Sequence, residues 1–233
     1  MAARDEILPP PRRGEWRSVV QEREQSFDDY VRGCANRKTS ARAILRLQPL
    51  GPVDPALLEL LRNYGAAFFG LEARLSAGRP LPDAAQVPQR GQHNSSMILD
   101  ALADLDRGDA LVTLAITGAD LFSRGKKYVF GEGDLERGVG VCSLFRLGSP
   151  DRALFLRRAL RLTTHETGHI LSIAHCVTRR CLMQGANTLE ESDRHPLEPC
   201  SEDLRKIAWN TGVDLVQRKA RLRGLKLDSG GGN

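Results

Sequence analysis

Apolar residues recur along the chain with two spacings, one typical of strands and one typical of helices. Residues 110–117 form a continuous apolar run, which is typical of a strand buried on both faces of a sheet. Leucines at helical spacing fill residues 54–66, and residues 94–106 show a similar pattern. Strands are predicted on either side of the first helix, at 43–48 and 67–75. Because helices and strands alternate, we predict an α/β fold whose twisted sheet is mixed and mostly parallel.

The second half of this predicted sheet leads into one long helix. Two further strands are predicted at 128–130 and 139–147, separated by a turn at 131–134. A typical helix start follows at residues 149–151, with a cap residue, a proline and an acid in the positive first turn. The long helix is therefore predicted over residues 150–172.

The predicted elements divide the chain into four parts. Residues 1–40 begin with a stretch rich in proline, arginine and glutamate, and are predicted to be a flexible N-terminal extension, with a short helix expected within residues 21–40 around the apolar Phe27, Tyr30 and Val31. Residues 41–172 are predicted to form an N-terminal α/β subdomain that ends in the long helix. Residues 173–227 are predicted to form a small C-terminal helical subdomain, and residues 228–233 a disordered tail.

Composition places the chain among soluble proteins. Of its 233 residues, 41% are hydrophobic and 27% are charged. No run approaches the ~18 apolar residues that a membrane span needs, and the first residues lack the apolar core of a secretory signal. A cytoplasmic protein is therefore predicted, with reduced cysteines. In such a compartment, clustered cysteines more often bind metal than form disulfides.

Basic residues give the chain a modest net charge of +5. Arg152, Arg157, Arg158 and Arg161 recur along the predicted long helix, and we interpret them as its solvated face. The segment Arg218–Lys226 holds five basic residues and no acid. For this segment, a solvated helix end is favoured over a nucleic-acid contact.

Residues that can carry chemistry concentrate in one stretch, where three of the five histidines fall within eleven residues. His165, Glu166 and His169 form an H-E-x-x-H motif, which on a helix places both imidazoles on one face, one turn apart. Glu166 is then placed to take a proton from a metal-bound water. A helix that ends soon after His169 lets the chain turn back and bring in His175 as a third ligand. Three histidines with an open fourth position are a catalytic arrangement for Zn²⁺.

Two neighbouring residues bear on this prediction, because the histidine spacing resembles that of the metzincins. Met183 follows eight residues after His175, where a metzincin carries the methionine of the turn below its metal. Methionine is also a common core residue, so Met183 supports the prediction without deciding it. Ser172 stands where metzincins carry glycine. A non-glycine residue in the positive-φ conformation expected there costs about 1–2 kcal/mol, which we interpret as strain and not as loss of the site.

The whole pattern resembles the archaemetzincins, a metzincin family of zinc metallopeptidases with the signature H-E-x-x-H-x-x-G-x-x-H-C-x4-C-x-M. Residues 165–183 stand in register with this signature, apart from Ser172. The resemblance implies a metzincin-like zincin fold with an active-site helix, a catalytic zinc on the three histidines, and Glu166 as general base. It extends over roughly residues 21–225 and includes four upstream segments: Gln25–Tyr30, Asp120–Phe122, Tyr128–Gly131 and Ser143–Leu147.

The same resemblance implies a second, structural zinc held by four cysteines. Cys176, Cys181 and Cys200 fit that set, but the spacer before Cys200 is one residue short and the last cysteine position is Asp203. Three thiolates and one carboxylate can form a tetrahedral zinc site, although less usually than four cysteines. His195 is an alternative fourth ligand, and three reduced thiols without metal are the competing arrangement.

Two functions agree with these residues. The first is a zinc-dependent metallopeptidase whose peptide or protein substrate lies extended along an edge strand near residues 128–131. The second is a zinc-stabilised module that binds peptides or proteins with little or no cleavage, which Ser172 and the incomplete cysteine set suggest. The intact Glu166 favours the peptidase, because a binding module has no need of a base.

Overall fold

The computed structural model describes residues 5–225, in which strands and helices alternate along most of the chain. Eight strands lie in this part of the chain: β1 (Ile44–Leu50), β2 (Glu72–Leu75), β3 (Gln86–Val87), β4 (Gln92–Asn94), β5 (Ala110–Thr117), β6 (Leu121–Phe122), β7 (Gly131–Gly133) and β8 (Val139–Ser143). The same residues form eight α-helices: α1 (Trp16–Val19), α2 (Phe27–Gly33), α3 (Pro55–Phe69), α4 (Ser95–Ala103), α5 (Arg152–Ile170), α6 (Leu189–Asp193), α7 (Ser201–Thr211) and α8 (Leu215–Gly224).

The main sheet has five strands in the order β2-β1-β5-β8-β7. Its neighbouring strands run parallel except for β7, which pairs antiparallel with β8 at one edge. One face of the sheet packs against α3 and α5, and the other packs against α4. Every residue of the central strand β5 is buried as a result. The predicted α/β fold with a mixed, mostly parallel sheet is confirmed.

Local sequence signals explain where the longest helices begin and end. Asp54 caps α3 by accepting a hydrogen bond from a backbone amide of the first turn, and Gly70 ends the helix with a φ of 63° that costs glycine little. Strand β2 therefore starts later than predicted. Asp151 caps α5 in the same way, so this helix starts at Arg152, close to the predicted position.

The edge strand β7 differs from the prediction. Residues 131–133 were expected to form a turn, and residues 128–130 to form the strand that precedes it. The alternation of apolar residues that marks a strand is absent here, because Gly131 and Gly133 occupy two of its three positions. These glycines allow α5 to pack closely against the strand. The strand predicted after them also ends early, at Ser143, before a 3₁₀ turn.

The N-terminal segment packs against the rest of the protein over its described residues, where a flexible extension was predicted, and the short helix expected within residues 21–40 is present as α2. Helix α2 begins with a capping box between Ser26 and Asp29. Tyr30 is fully buried, and its hydroxyl donates to the backbone carbonyl of Leu171 at 2.9 Å. The sequence marked Tyr30 as an apolar position, but it did not indicate the distant residues against which this side chain packs.

Residues 16–25, named here the N-terminal strap, consist of α1 and an extended stretch. Trp16 is buried, and its backbone amide donates to a carboxylate oxygen of Glu191 at 2.9 Å. A methyl group added at Gly185 would lie 2.4 Å from the indole of Trp16, so the two segments are in close contact. The strap is thus held against the part of the chain that follows the histidine motif.

Two arginines assigned to solvated positions are buried instead. Arg161 is 6% exposed, and its guanidinium lies 3.0 Å from the carbonyl of Gln184 and 2.8 Å from Nδ1 of His195. Arg218 is 2% exposed and stacks over the ring of Phe68. The guanidinium of Arg161 donates to several neutral acceptors, whereas that of Arg218 forms an ion pair with Glu198 at 2.9 Å, and such partners make the burial of an arginine possible.

The core continues across the predicted subdomain boundary, since one cluster joins residues of the sheet, α5 and α7. The division at residue 173 stays a prediction. Lys226 and the predicted tail at 228–233 lie outside the described residues. Between residues 5 and 225, no helix has the length and apolarity needed to cross a bilayer.

Candidate active site

The histidine motif lies at the C-terminal end of α5, where the helix stops one residue after His169. Ser172 then takes a φ of 68°, the one positive value at a non-glycine residue within the described chain. The backbone amide of Ile173 donates back to the carbonyl of Gly168 at 3.0 Å, which closes the turn. This reversal, expected from the spacing, carries His175 back towards the helix.

The three imidazoles converge through their Nε2 atoms. Nε2 of His169 lies 3.1 Å from Nε2 of His165 and 3.2 Å from Nε2 of His175. Two ligands of a tetrahedral zinc, each ~2.0–2.1 Å from the metal, are about 3.3 Å apart. The separations in the structure therefore fit a single ion of this size.

The Nδ1 atom of each of the three histidines lies within hydrogen-bonding distance of an oxygen atom. Nδ1 of His165 lies 3.0 Å from the carbonyl of Leu182, and Nδ1 of His169 lies 2.8 Å from that of Ile173. Nδ1 of His175 lies 3.1 Å from a carboxylate oxygen of Glu22. With the proton on Nδ1, all three rings present an unprotonated Nε2 to the same point, as metal-binding histidines do.

Burial keeps the two helical histidines neutral. It lowers the pKa of His165 well below the usual value and lowers the pKa of His169 to about 3. Histidine must be neutral to bind metal, so protons do not compete strongly for these rings near pH 7. The donor set, its spacing and its protonation all fit zinc.

Glu166 is buried beside the histidines and faces the edge strand. Burial, followed by repulsion from the charge of Glu132, raises its pKa to about 8. A methyl group at Gly131 would lie 2.7 Å from Cγ of Glu166, and one at Gly133 would lie 2.9 Å from its backbone oxygen. Two glycines of β7 thus leave the room that this carboxylate occupies.

Met183 packs directly against the helix that carries the histidines. Its side chain is fully buried, and a methyl group at Gly168 would lie 2.6 Å from its sulfur. The carbonyl of Met183 accepts a hydrogen bond from the amide of Cys176 at 2.9 Å. Met183 thus contacts the helix one residue before His169 and links the histidine site to the cysteine cluster, while its place below a bound metal stays a prediction.

A cleft of about 600 Å³ opens in front of the three histidines. One wall is formed by β7 and the residues before it, and another by the N-terminal strap and the segment after Met183. The hydroxyl of Tyr128 lies 3.3 Å from the carbonyl of Asn187 on the opposite side. The cleft is therefore bounded by segments that are distant in sequence.

Cys176, Cys181, Cys200 and Asp203 form a second buried cluster, in which the candidate ligand atoms all lie within 4.8 Å of one another. The sulfurs of Cys176 and Cys200 are 4.0 Å apart, and the sulfur of Cys181 lies 3.1 Å from a carboxylate oxygen of Asp203. The alternative ligand, His195, contacts Arg161 instead. The structure therefore places Asp203 at the fourth position of this cluster.

The surroundings of this cluster shift the pKa values of its thiols in opposite directions. Backbone amides of Met183 and Cys200 donate to the sulfur of Cys181 at 3.4 and 3.1 Å. Hydrogen bonds from the other two thiols lower the pKa of Cys176, while burial raises the pKa of Cys181. Lys206, itself buried, forms an ion pair with Asp203 at 2.8 Å and offsets part of the charge.

Three features of the site were missed by reasoning from the sequence. Glu22 lies in a segment without periodicity, so no signal marked it. Arg161 was assigned to the solvent because arginine is usually exposed. Gly131 and Gly133 did carry a signal, since two glycines two residues apart in a strand can mark close approach of another element.

Comparison with known proteins agrees with this geometry. The family model described as Peptidase family M54 matches residues 88–208, so the N-terminal strap lies outside the matched range. The chain is 32% identical over 163 residues to the Archaemetzincin of Archaeoglobus fulgidus, across 70% of this chain and 98% of that protein. It is 32% identical over 243 residues to the Archaemetzincin-2 of Rattus norvegicus, across 85% of this chain and 67% of that protein.

Solved structures resemble the fold as well. The crystal structure of the Archaeoglobus fulgidus archaemetzincin, complexed with malonate, superposes with a TM-score of 0.64 at 32% identity, across 70% of this chain and 99% of that one. The crystal structure of the Methanopyrus kandleri archaemetzincin gives a TM-score of 0.65 at 27% identity, across 76% and 99%. The chain therefore belongs to peptidase family M54, the family of the archaemetzincins, and it is a zinc metallopeptidase.

Proposed function

We propose that this protein hydrolyses peptide bonds at one zinc ion held by His165, His169 and His175, with Glu166 as the general base. The observation that carries the proposal is the convergence of three Nε2 atoms at separations of 3.1 and 3.2 Å, with every Nδ1 already engaged. The buried carboxylate of Glu166 next to this donor set favours hydrolysis over a module that only binds peptides, because such a module needs no base.

When bound, zinc supplies a Lewis acid that polarises the substrate carbonyl and makes a coordinated water more acidic. Glu166 accepts a proton from the attacking water and returns it to the leaving amine. Burial raises the pKa of this carboxyl in the metal-free chain, and the positive charge of bound zinc would favour its ionised form, which is the form that accepts the proton.

The peptide substrate is proposed to lie extended along β7. This strand is at the edge of the main sheet and lines the cleft in front of the histidines. An edge strand offers unpaired backbone groups with which an extended peptide can pair. Gly131 and Gly133 leave this part of the strand without bulky side chains, so substrate backbone can approach Glu166 closely.

The proposal is tested by metal analysis and peptide turnover on the same preparations. Wild-type protein is expected to carry zinc and cleave peptides from a mixed library, and a chelator should abolish cleavage. Glu166→Gln should retain zinc and lose at least ~100-fold in kcat. Glu190→Gln, which removes a largely exposed carboxylate, is the matched control and should behave as wild type. Wild type that binds zinc without any cleavage would instead support the peptide-binding module.

A second, structural zinc is proposed for Cys176, Cys181, Cys200 and Asp203. Its support is the buried cluster of four candidate ligands with two backbone amides donating to sulfur. Cys181→Ala should lower the zinc content by one ion per chain, while Cys34→Ala, outside the cluster, should not. Equal zinc content in Cys181→Ala and wild type would favour reduced thiols without metal. The predicted cytoplasmic location agrees with such thiols and stays a prediction.

A further inference from the structure

The N-terminal strap lies across the loop of residues 172–177, named here the third-histidine loop. The side-chain amide of Gln25 donates to the carbonyl of Ser172 and accepts from the amide of Ala174, both at 3.1 Å. A carboxylate oxygen of Glu24 accepts from the amide of Val177 at 3.3 Å. Several positions of this loop are therefore tied to the strap.

Glu22 contacts His175, one of the three proposed metal ligands. Its two carboxylate oxygens lie 3.2 and 3.1 Å from Nδ1 of His175. The indole of Trp16 packs on the same imidazole, with ring centroids 4.5 Å apart and planes inclined by 52°. The strap thus supplies both an acceptor for the ring nitrogen and a wall for the ring face.

His175 differs from the other two histidines in what holds it. His165 and His169 stand on a helix, are more than 90% buried, and have backbone carbonyls at Nδ1. His175 stands on a loop that follows the strained Ser172, and 23% of its side chain is exposed. Nothing in its own loop is seen to fix the ring, so its orientation depends on a partner from elsewhere in the chain.

We propose that Glu22 is a positioning residue for the metal site. Its carboxylate holds the proton of His175 on Nδ1 and directs Nε2 towards the point where His165 and His169 meet. A carboxylate behind a ligating histidine also increases the basicity of the ring, and its removal typically weakens metal binding about 10–100-fold. This inference rests on the proposed zinc site. It assigns a role in metal binding to a segment that precedes residues 88–208, the range matched by the family model.

A purely structural role for Glu22 would be to anchor the strap, so the test must report on the metal site itself. We would titrate the metal-free full chain with Co²⁺, which takes the place of zinc and has visible absorption. Thiolate-to-cobalt charge transfer reports the cysteine cluster, and the remaining visible bands report the histidine site. Peptide turnover and thermal unfolding would be measured on the same samples.

Glu22→Ala is expected to weaken Co²⁺ binding at the histidine site about 10–100-fold, without a change in the thiolate band. Glu22→Gln keeps an acceptor oxygen but not the charge, so its affinity should fall between those of wild type and Glu22→Ala. Asp28→Asn removes an exposed acid of α2 and should match wild type. Turnover of Glu22→Ala should recover as metal concentration is raised.

Equal Co²⁺ affinity of wild type and Glu22→Ala would overturn this inference and leave the proposed function standing. Failure of wild type to bind metal at the histidines would overturn both. A loss of affinity in Glu22→Ala that appeared equally in the thiolate band would show general loosening of the strap, and would also overturn the specific role. Thermal midpoints of the metal-free variants close to that of wild type would exclude misfolding as the cause.

Discussion

The backbone amide of Asn36 donates a hydrogen bond to the hydroxyl oxygen of Ser172 at 3.2 Å. The same hydroxyl donates to the carbonyl of Leu135 at 2.9 Å. Ser172 has a φ of 68°, which costs a non-glycine residue about 1–2 kcal/mol. Two hydrogen bonds of about 1 kcal/mol each offset that cost. The serine that departs from the family glycine is thus compensated by bonds that glycine cannot make.

Substitutions at Ser172 should separate strain from hydrogen bonding. Ser172→Gly relieves the strain and loses both side-chain bonds, so its free energy of unfolding should stay within about 1 kcal/mol of wild type. Ser172→Ala loses the same two bonds, and with them the acceptor of the buried Asn36 amide, but it keeps the strain, so it should be destabilised by about 2–3 kcal/mol. Urea denaturation of the three proteins measures both values. Alanine at least as stable as glycine would contradict the account.

Gly131→Ala should displace Glu166, the proposed general base. The added methyl group would lie 2.7–2.8 Å from Cγ, Cδ and Oε1 of Glu166, the flexible end of a side chain that can move away. We expect kcat to fall on the order of 10–100-fold, as for a misplaced catalytic group, with little change in thermal midpoint. Gly148→Ala is the control, because a methyl group there meets nothing within 4 Å. Similar kcat values for the two variants would count against the position assigned to Glu166.

Gly168→Ala should destabilise the protein, although alanine favours a helix interior by about 1 kcal/mol. The new methyl group would lie 2.6 Å from the sulfur of Met183, and overpacking of this kind costs about 1–3 kcal/mol. In a Met183→Ala background the clash disappears, so the same substitution should become stabilising. Chemical denaturation of the four proteins of this cycle measures the coupling. An unchanged sign in both backgrounds would show that the two residues do not press on each other.

The pH dependence of stability should report the raised pKa of Glu166 in the metal-free protein. Glu166 is protonated below about pH 8 in the folded chain but only below about 4.5 when unfolded, so its contribution to stability is lost as pH rises between these values. Glu166→Gln lacks this loss. Its stability relative to wild type should therefore grow by about 2 kcal/mol from pH 5.5 to 7.5. Unfolding at both pH values measures this, with Glu190→Gln as a control expected to show no trend.

Local sequence patterns predicted much of the fold and, within the candidate site, the helix and the turn that carry the histidines. The apolar run at 110–117 identified the central strand, and the cap at Asp151 marked the start of α5 close to its true position. The turn at Ser172 was expected with positive φ and has it. The edge strand β7 and the packing of the N-terminal segment were not predicted, because neither is marked by the periodic burial on which such predictions depend.

The spacing of His165, Glu166, His169 and His175 was by itself enough to predict the zinc chemistry that we propose for this protein. Helical geometry places His165 and His169 on one face. The six-residue spacing to His175 lets the chain turn back and bring this third histidine close to the first two. Tertiary structure alone decided what surrounds them: the glycines of β7 against Glu166, and Glu22 from 153 residues away on His175. Such contacts depend on how distant segments pack against each other. A local sequence pattern cannot predict them, because it contains no information about residues that far along the chain.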